Sequence, residues 1–361
     1  MQAPSLGPPP LLRAGCMEFP VHHVRGGTST GLVIAECWAP REQSLREELL
    51  RHLMGLPLEG TLPGNRQITG LGRIVPTGNK VFFARLEAEG NRRRIVSTFA
   101  QLAADKAAID WSVNCGNMTA ALPLWALDTG HAEAGGEAFE IDIFNTNTGV
   151  TAGSRMRFAP DGGFVPAEIP GVDGAFPAVD LFLANPVGAK TGRLLPTDRS
   201  TDDIAGYAVS CVDVAVPMVI ARAGDFGKTA REPPEALEGD RDFMAALRAV
   251  WVEAGLRMGL KTTGGRPMTA EQLAQSETIP KVCIVGPPSG SGHIAVRYFT
   301  PQTAHRSMAV SGGCCLAAAA LIPGSVAHEF AQGLPPVPRE FAEVDVGIEN
   351  PAGVLEATIE A

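Results

Sequence analysis

Two stretches, one in each half of the chain, follow the same recipe. A turn of small polar residues, glycine and cysteine runs straight into a helix of small apolar residues. The first is Asn114-Cys115-Gly116-Asn117-Met118-Thr119-Ala120-Ala121-Leu122, and the second is Ser311-Gly312-Gly313-Cys314-Cys315-Leu316-Ala317-Ala318-Ala319. Each follows a strand-rich stretch. A pattern met once per half points to a duplicated, two-lobed chain with lobes of about 180 residues. The expected division is a flexible tail over 1–16, a first lobe over 17–190 and a second over 191–361, with the boundary near Pro186 to Ser200.

Within each lobe the punctuation favours strands. The 41 glycines and 29 prolines are spread along the chain, as short strands joined by tight turns require. Strand-like runs are Val33-Ile34, Val81-Phe82-Phe83, Phe139–Ile143, Val179–Leu183, Val212–Ala221, Val282–Val285 and Ile294–Phe299. Helical spacing is found over Glu42–Met54 and Arg241–Met258. It also covers Asn117–Leu127, which Pro123 should kink, and the Ala-rich Gly313–Leu321, closed by Pro323-Gly324. Gly286–Gly292 lies between two strand candidates and reads as a hairpin loop.

Composition narrows the partners. Hydrophobic residues at 45% and charged residues at 19% suit a globular protein with a large core. A net charge of -9 disfavours a nucleic-acid partner. The densest basic run, Arg92-Arg93-Arg94, reads as an exposed strand edge. No apolar run reaches the ~18 residues of a membrane-spanning helix. The proline-rich start, Met1 to Cys16, lacks the apolar stretch of a secretory signal. Seven cysteines, an odd number at irregular spacing, fit a reducing cytosol better than a disulfide framework. The seven histidines are scattered, and the adjacent His22 and His23 would face opposite sides of a strand, so no metal site is expected.

Three clusters could carry chemistry. Cys115 sits on a turn that opens a helix, where unpaired N–H groups favour a thiolate and would also hold an anion. The alternative is a small buried hydrophobe. Lys80 follows Pro76-Thr77-Gly78-Asn79 and runs into the apolar Val81-Phe82-Phe83. Burial there would disfavour its charged form and make it usable as a base; the alternative is a surface lysine at a strand start. Arg25-Gly26-Gly27-Thr28-Ser29 gathers a guanidinium, two glycines and two hydroxyls in one turn. That suits a carboxylate cradle as well as it suits an ordinary tight turn.

Taken together and in order, Arg25-Gly26-Gly27-Thr28-Ser29, Lys80, Asn114-Cys115-Gly116-Asn117 and Ala309-Val310-Ser311-Gly312 resemble the PrpF family. Ile279-Pro280-Lys281-Val282 and Leu321-Ile322-Pro323-Gly324-Ser325 match its second half. Members isomerise unsaturated acids such as methylaconitate, methylitaconate and 4-oxalomesaconate. The resemblance implies an α+β, diaminopimelate-epimerase-like fold: two pseudo-symmetric lobes, each a curved, mostly antiparallel sheet around a central helix, with the active site in the cleft between them. It implies a cofactor-free 1,3-allylic proton shift with Lys80 and Cys115 catalytic. Arg25, Gly26, Gly27, Thr28, Ser29, Asn79, Asn114, Gly116, Asn117, His305, Ser311, Gly312 and Gly313 would hold the substrate. The partner it implies is a small unsaturated di- or tricarboxylate, without membrane or nucleic acid and in the cytoplasm; a homodimer is one assembly open to it.

Two departures stand out. Family members commonly carry lysine where this chain has Thr30, a gap that Arg66 or Arg73 could fill. They also continue into an R-T-A-R-like segment, whereas this sequence stops at Glu360-Ala361. Two other functions remain open at this level. One is a two-cysteine racemase or epimerase pairing Cys115 with Cys314 or Cys315, and the other is a non-catalytic carboxylate-binding protein.

Overall fold

The runs rich in Val, Ile and Phe pair edge to edge, and helices fill the longer connections. The computed structural model describes residues 7–89, 92–133, 135–262, 264–336 and 340–360. The chain divides into two units, one up to Ala184 and the other from Asn185.

In the first unit a small hairpin, β1 (Leu11–Arg13) and β2 (Cys16–Glu18), precedes the main sheet. Next come β3 (His22–Gly26), β4 (Ser29–Ala35), helix α1 (Gln43–Met54), β5 (Lys80–Glu89) and β6 (Arg92–Leu102). The short β7 (Ile109–Asp110) leads to α2 (Gly116–Thr119) and α3 (Leu122–Asp128). Strands β8 (Ala138–Asn145) and β9 (Val150–Arg157), a side hairpin of β10 (Pro166–Ile169) and β11 (Val172–Pro177), and β12 (Asp180–Leu183) complete the unit. The sheet runs β12-β9-β8-β6-β5-β4-β3, with β7 also on β6. Only β4/β5 and β6/β8 are parallel along that path.

The second unit opens with β13 (Asp202–Ile204), β14 (Tyr207–Val214) and β15 (Val216–Arg222). Helices α4 (Pro234–Gly239), α5 (Arg241–Arg257) and α6 (Ala270–Gln275) precede β16 (Lys281–Gly286), β17 (Ile294–Thr300) and β18 (Thr303–Ala304). Helices α7 (Val310–Ala320) and α8 (Val326–Phe330) lead to β19 (Glu343–Asn350) and β20 (Gly353–Glu360). This sheet runs β13-β14-β15-β16-β17-β19-β20, with β15/β16 and β17/β19 parallel.

Both units therefore share one plan: three hairpins joined by two parallel seams. A parallel seam needs a crossover, and helices supply it. The first crossover carries α1 in one unit and α4–α6 in the other; the second carries α2–α3 and α7–α8. The two similar turn-and-helix stretches of the sequence thus occupy equivalent places. Each sheet is covered on both faces. In the first unit Val33, Phe82 and Phe99 pack with Met118, Leu122 and Trp125 on the α2–α3 side. Leu32, Val81 and Phe83 pack with Leu50 and Met54 of α1 on the other. In the second unit α7 takes one face and α5 the other. Each fully buried Phe or Leu contributes ~1.5–3 kcal/mol, so both faces are held firmly.

Several expectations change. Asn117–Leu127 is not one kinked helix: α2 stops at Thr119 and α3 restarts with Pro123 in its first turn, where a missing N–H costs nothing. Val212–Ala221 is two strands, reversed at Ala215 with φ +62°, a turn that an unbroken apolar run does not announce. The basic run Arg92-Arg93-Arg94 opens β6: Arg92 and Arg93 pair only with β5, as an edge would, whereas from Arg94 the strand is also paired with β8, and Arg94 pairs with Glu87. Helix α7 begins at Val310, so Ser311-Gly312-Gly313 forms its first turn instead of preceding it. Of the proposed tail, residues 1–6 lie outside the described residues, and the rest holds β1 and the start of β2, an exposed hairpin that runs on to Glu18. Among the described residues no helix is long and apolar enough to cross a membrane.

Candidate active site

The site is built around the entry of β5. The loop ahead of it is glycine-rich yet firmly tied. Asn65 donates to the carbonyls of Gly55 (2.8 Å) and Ala104 (2.7 Å), and Gln67 donates to Met54 O (2.8 Å) and Asn79 Oδ1 (2.6 Å). Asn79 is fully buried and donates in turn to the carbonyls of Arg73 and Val75. Its side chain is a brace for the loop, which is a different task from the substrate contact the resemblance implies.

The next residue is Lys80, only 9% exposed. Its Nζ donates to Gln101 Oε1 at 2.6 Å and lies 5.5 Å from the centroid of the Phe99 ring, on the α2–α3 side of the sheet. Among the described residues no carboxylate pairs with it. The parallel neighbour β4 passes at Gly31 with no room to spare: a Cβ there would stand 2.1 Å from Lys80 O. The β3–β4 turn, five residues back, is pressed just as closely onto α2, since a Cβ on Gly26 would stand 2.1 Å from Asn117 O. Gly27 has φ +53°, and Asn117 Nδ2 donates to Thr28 Oγ1 at 2.8 Å.

Cys115 is the residue before α2, partly exposed and packed on the same core as Phe99 and Met118. Asn114 Oδ1 accepts the Cys115 N–H at 2.8 Å, and the Cys115 carbonyl accepts both N–H and O–H of Thr119. The turn is thus held by its own side chains. Because α2 is a single turn, the field at its start is that of a few oriented N–H groups rather than of a long helix.

Strand alternation separates Arg25 from this group. Arg25 pairs with Thr30, and His23 with Leu32, so these side chains project toward the α1 side, opposite Lys80. There burial, then Arg73, then Arg25 hold the His23 ring below its usual protonation range. Arg73 and Arg25 thus both act on His23, and Arg25 and Thr30 share its face of the sheet. Ser29, by alternation, shares the Lys80 side and is buried.

The remaining expected residues lie in the second unit. His305 Nδ1 accepts the Ser307 N–H at 3.0 Å, and its ring meets Tyr298 edge-on at 5.8 Å. Gly312 and Gly313 serve packing: a Cβ on either would stand 2.5 Å from the Tyr298 ring or from Leu355. The Gly286–Gly292 segment does join two antiparallel strands, and the N–H groups of Ser289, Gly290 and Gly292 point at the Glu349 carboxylate. Cys314 and Cys315 sit well inside α7. Burial pushes Cys314 up to about 11 and Cys315 higher still, with Cys315 Sγ turned to Val212 O. The position before α7, equivalent to Cys115, is Ala309.

The sequence model of the family described as PrpF protein matches residues 16–361. The chain belongs to the PrpF family. It is 33% identical over 324 residues to a 4-oxalomesaconate tautomerase of Pseudomonas putida, covering 88% of this chain and 83% of the relative. The crystal structure of a methylitaconate-delta-isomerase superposes with a TM-score of 0.72 at 26% identity, covering 94% of this chain and 88% of that one. A hydroxyproline epimerase from Agrobacterium vitis shares the fold, with a TM-score of 0.51 at 11% identity. The PrpF chain thus has the epimerase-like α+β architecture that its motifs imply.

One prediction tests the PrpF-family thiol directly. Iodoacetamide should label Cys16, Cys37 and Cys115 well ahead of Cys211, Cys283 and Cys315, which are buried and pushed toward the protonated form, Cys211 to about 12. An unsaturated tricarboxylate should slow only the Cys115 adduct, read by peptide mass spectrometry. Equal labelling at Cys16 and Cys115 with and without the acid would make Cys115 structural.

Proposed function

We propose that this chain is an isomerase that moves a proton, and with it a double bond, along an unsaturated di- or tricarboxylate. The observation that carries the reading is Lys80: a nearly buried amine with no carboxylate partner among the described residues, on the same face of one sheet as the thiol-bearing turn. Two of the named relatives, the 4-oxalomesaconate tautomerase and the methylitaconate-delta-isomerase, support it.

The chemistry runs as a 1,3-allylic shift. Lys80 takes a proton from the carbon next to the double bond. The carbanion delocalises into the adjoining carboxylate or keto group, and Cys115 returns a proton at the far carbon. With the roles exchanged, or with Lys80 handling both transfers, the balance is the same. The developing negative charge needs preorganised donors. Backbone N–H groups after Cys115 and the hydroxyl of Thr28, whose oxygen already accepts from Asn117, are suited to supply them.

A two-thiol racemase is disfavoured by Ala309, which leaves the second unit without a thiol before α7, and by the deep burial of Cys315. The deciding experiment is a panel of unsaturated di- and tricarboxylates, 4-oxalomesaconate included, incubated in heavy water and read by NMR. Deuterium entry with migration of the double bond is expected for at least one acid. Deuterium entry at a saturated chiral carbon, with no migration in any acid, would replace this reading with the racemase.

A further inference from the structure

We infer that Gln101 is a positioning residue for the reaction, holding the Lys80 amine in place through a neutral contact; this rests on the assignment of Lys80 above. Gln101 stands directly across the β5–β6 ladder from Lys80. Its amide nitrogen, with two N–H groups, lies within hydrogen-bond distance of three carbonyls: Asn79 O at 3.0 Å, Leu102 O at 3.1 Å and Pro76 O at 3.2 Å. Those acceptors decide which end of the amide is which, because an oxygen in that place would face three lone-pair-bearing atoms. Oε1 is therefore the end turned to the lysine, and it accepts from Nζ at 2.6 Å.

Two of the three carbonyls belong to the Pro76–Asn79 turn that delivers Lys80 into its strand. One amide thus fixes both the backbone before the lysine and the tip of its side chain. With Gln101 on one side and the Phe99 ring on another, the amine has few directions left. The neutrality of the contact matters as much as its geometry. An amide oxygen accepts from an ammonium and from an amine alike, so the group can cycle between them. A carboxylate in the same place would favour the ammonium and retain it.

The charged and titratable groups around this contact leave Gln101 as the hydrogen-bond partner of Lys80 among the described residues. Asp110 lies across the β6–β7 ladder from Gln101, with Oδ1 already accepting from Ser112 N (2.8 Å) and Oγ (2.6 Å). His22 on β3 accepts from Trp125 Nε1 at 3.3 Å, and Cys115 closes the turn before α2. His23 and Arg25 belong to the opposite face, and Arg73 acts on His23 there.

The test compares Gln101→Met and Gln101→Glu in the full chain with wild type. Two readouts serve: steady-state kinetics on 4-oxalomesaconate across pH, and trace acetylation of Lys80 by acetic anhydride, followed by mass spectrometry. For Gln101→Met, kcat should fall about tenfold to a hundredfold, the cost of a misplaced reacting group, with KM changed by less than about threefold. For Gln101→Glu, the rising limb of the rate–pH profile should move to higher pH, and Lys80 should acetylate more slowly at neutral pH. Should the new carboxylate, facing three carbonyls, prevent Gln101→Glu from folding, the split between kcat and KM in Gln101→Met decides. Wild-type kcat in Gln101→Met, or an unmoved pH limb with an unmoved acetylation rate in a folded Gln101→Glu, overturns the inference. The acetylation arm needs no substrate. A wild type inactive on every acid of the panel therefore removes the functional reading, and with it a role for Gln101 in the reaction, while the acetylation rates still decide whether Gln101 holds the amine.

Discussion

Replacing Lys80 with alanine should lower turnover by ~100- to 10,000-fold, the usual range for a general acid–base group, while the protein stays folded. The side chain ends in a hydrogen bond to Gln101 and a cation–π contact with Phe99, so the stability cost is that of one buried polar contact, about 1–3 kcal/mol. Lys80→Arg separates the two roles an amine could have. Arginine keeps the positive charge but does not release its proton near neutral pH. If Lys80 is the base, Lys80→Arg should be nearly as inactive as Lys80→Ala. If it only holds a carboxylate, Lys80→Arg should keep a large part of the rate. Circular dichroism and a melting curve establish folding, and initial rates settle the rest. More than half the wild-type rate in Lys80→Ala would remove the lysine from the mechanism.

The second large effect is expected at Gly31, two elements away in sequence but in contact with Lys80. A methyl group at Gly31 would stand 2.1 Å from Lys80 O and 2.9 Å from its carbonyl carbon. Both are backbone atoms of a paired strand, so no side chain can swing aside. The parallel β4/β5 seam must open instead, between residues whose neighbours Leu32, Val81 and Phe82 are fully buried. Overpacking costs about 1–3 kcal/mol and occasionally more; the upper end, expected where only backbone can yield, corresponds to a fall in Tm of about 6–12 °C. Gly31→Ala should also lose activity, because the displaced strand carries the lysine. Gly224→Ala, at a site with open space around it, is the control and should melt like wild type. A Gly31→Ala protein melting within about 2 °C of wild type would mean that the strands separate freely there.

How much of this was legible in the sequence varies with the kind of signal. Motifs of fixed spacing carried well: Arg25–Ser29, Lys80 and Asn114–Asn117 lie in one unit, and the two similar helices fill equivalent crossovers. Individual roles were harder to read. Asn79 and Arg25 stand within motifs that suggest ligand contact, yet one braces a loop and the other is carried to the opposite face by strand alternation. Gly312 and Gly313 read as easily as an anion turn as they do as room for Tyr298 and Leu355, because a glycine permits both. Gln101 was missed altogether, since a glutamine in an apolar run has no motif. Its signal was present in another form. Gly90-Asn91 is a strong turn dipeptide, and pairing outward from it sets Lys80 opposite Gln101. Strand pairing, not residue type, was the clue.

The division of each sheet into three hairpins and two parallel seams also bears on how the protein comes to life. A hairpin closes locally in ~1–10 μs. A parallel seam must wait until a long connection has been gathered in, and that loop-closure entropy has to be met before any contact rewards it. In the first unit the earlier seam is β4 against β5, and it begins where Gly31 meets Lys80. The amine is therefore assembled at a junction between two locally formed pieces, among the later contacts of its unit. A nascent or partly unfolded chain would leave Lys80 in water and without its glutamine. Such a chain would not hold the amine where a substrate carbon could meet it, and competence would arrive only with the closed seam.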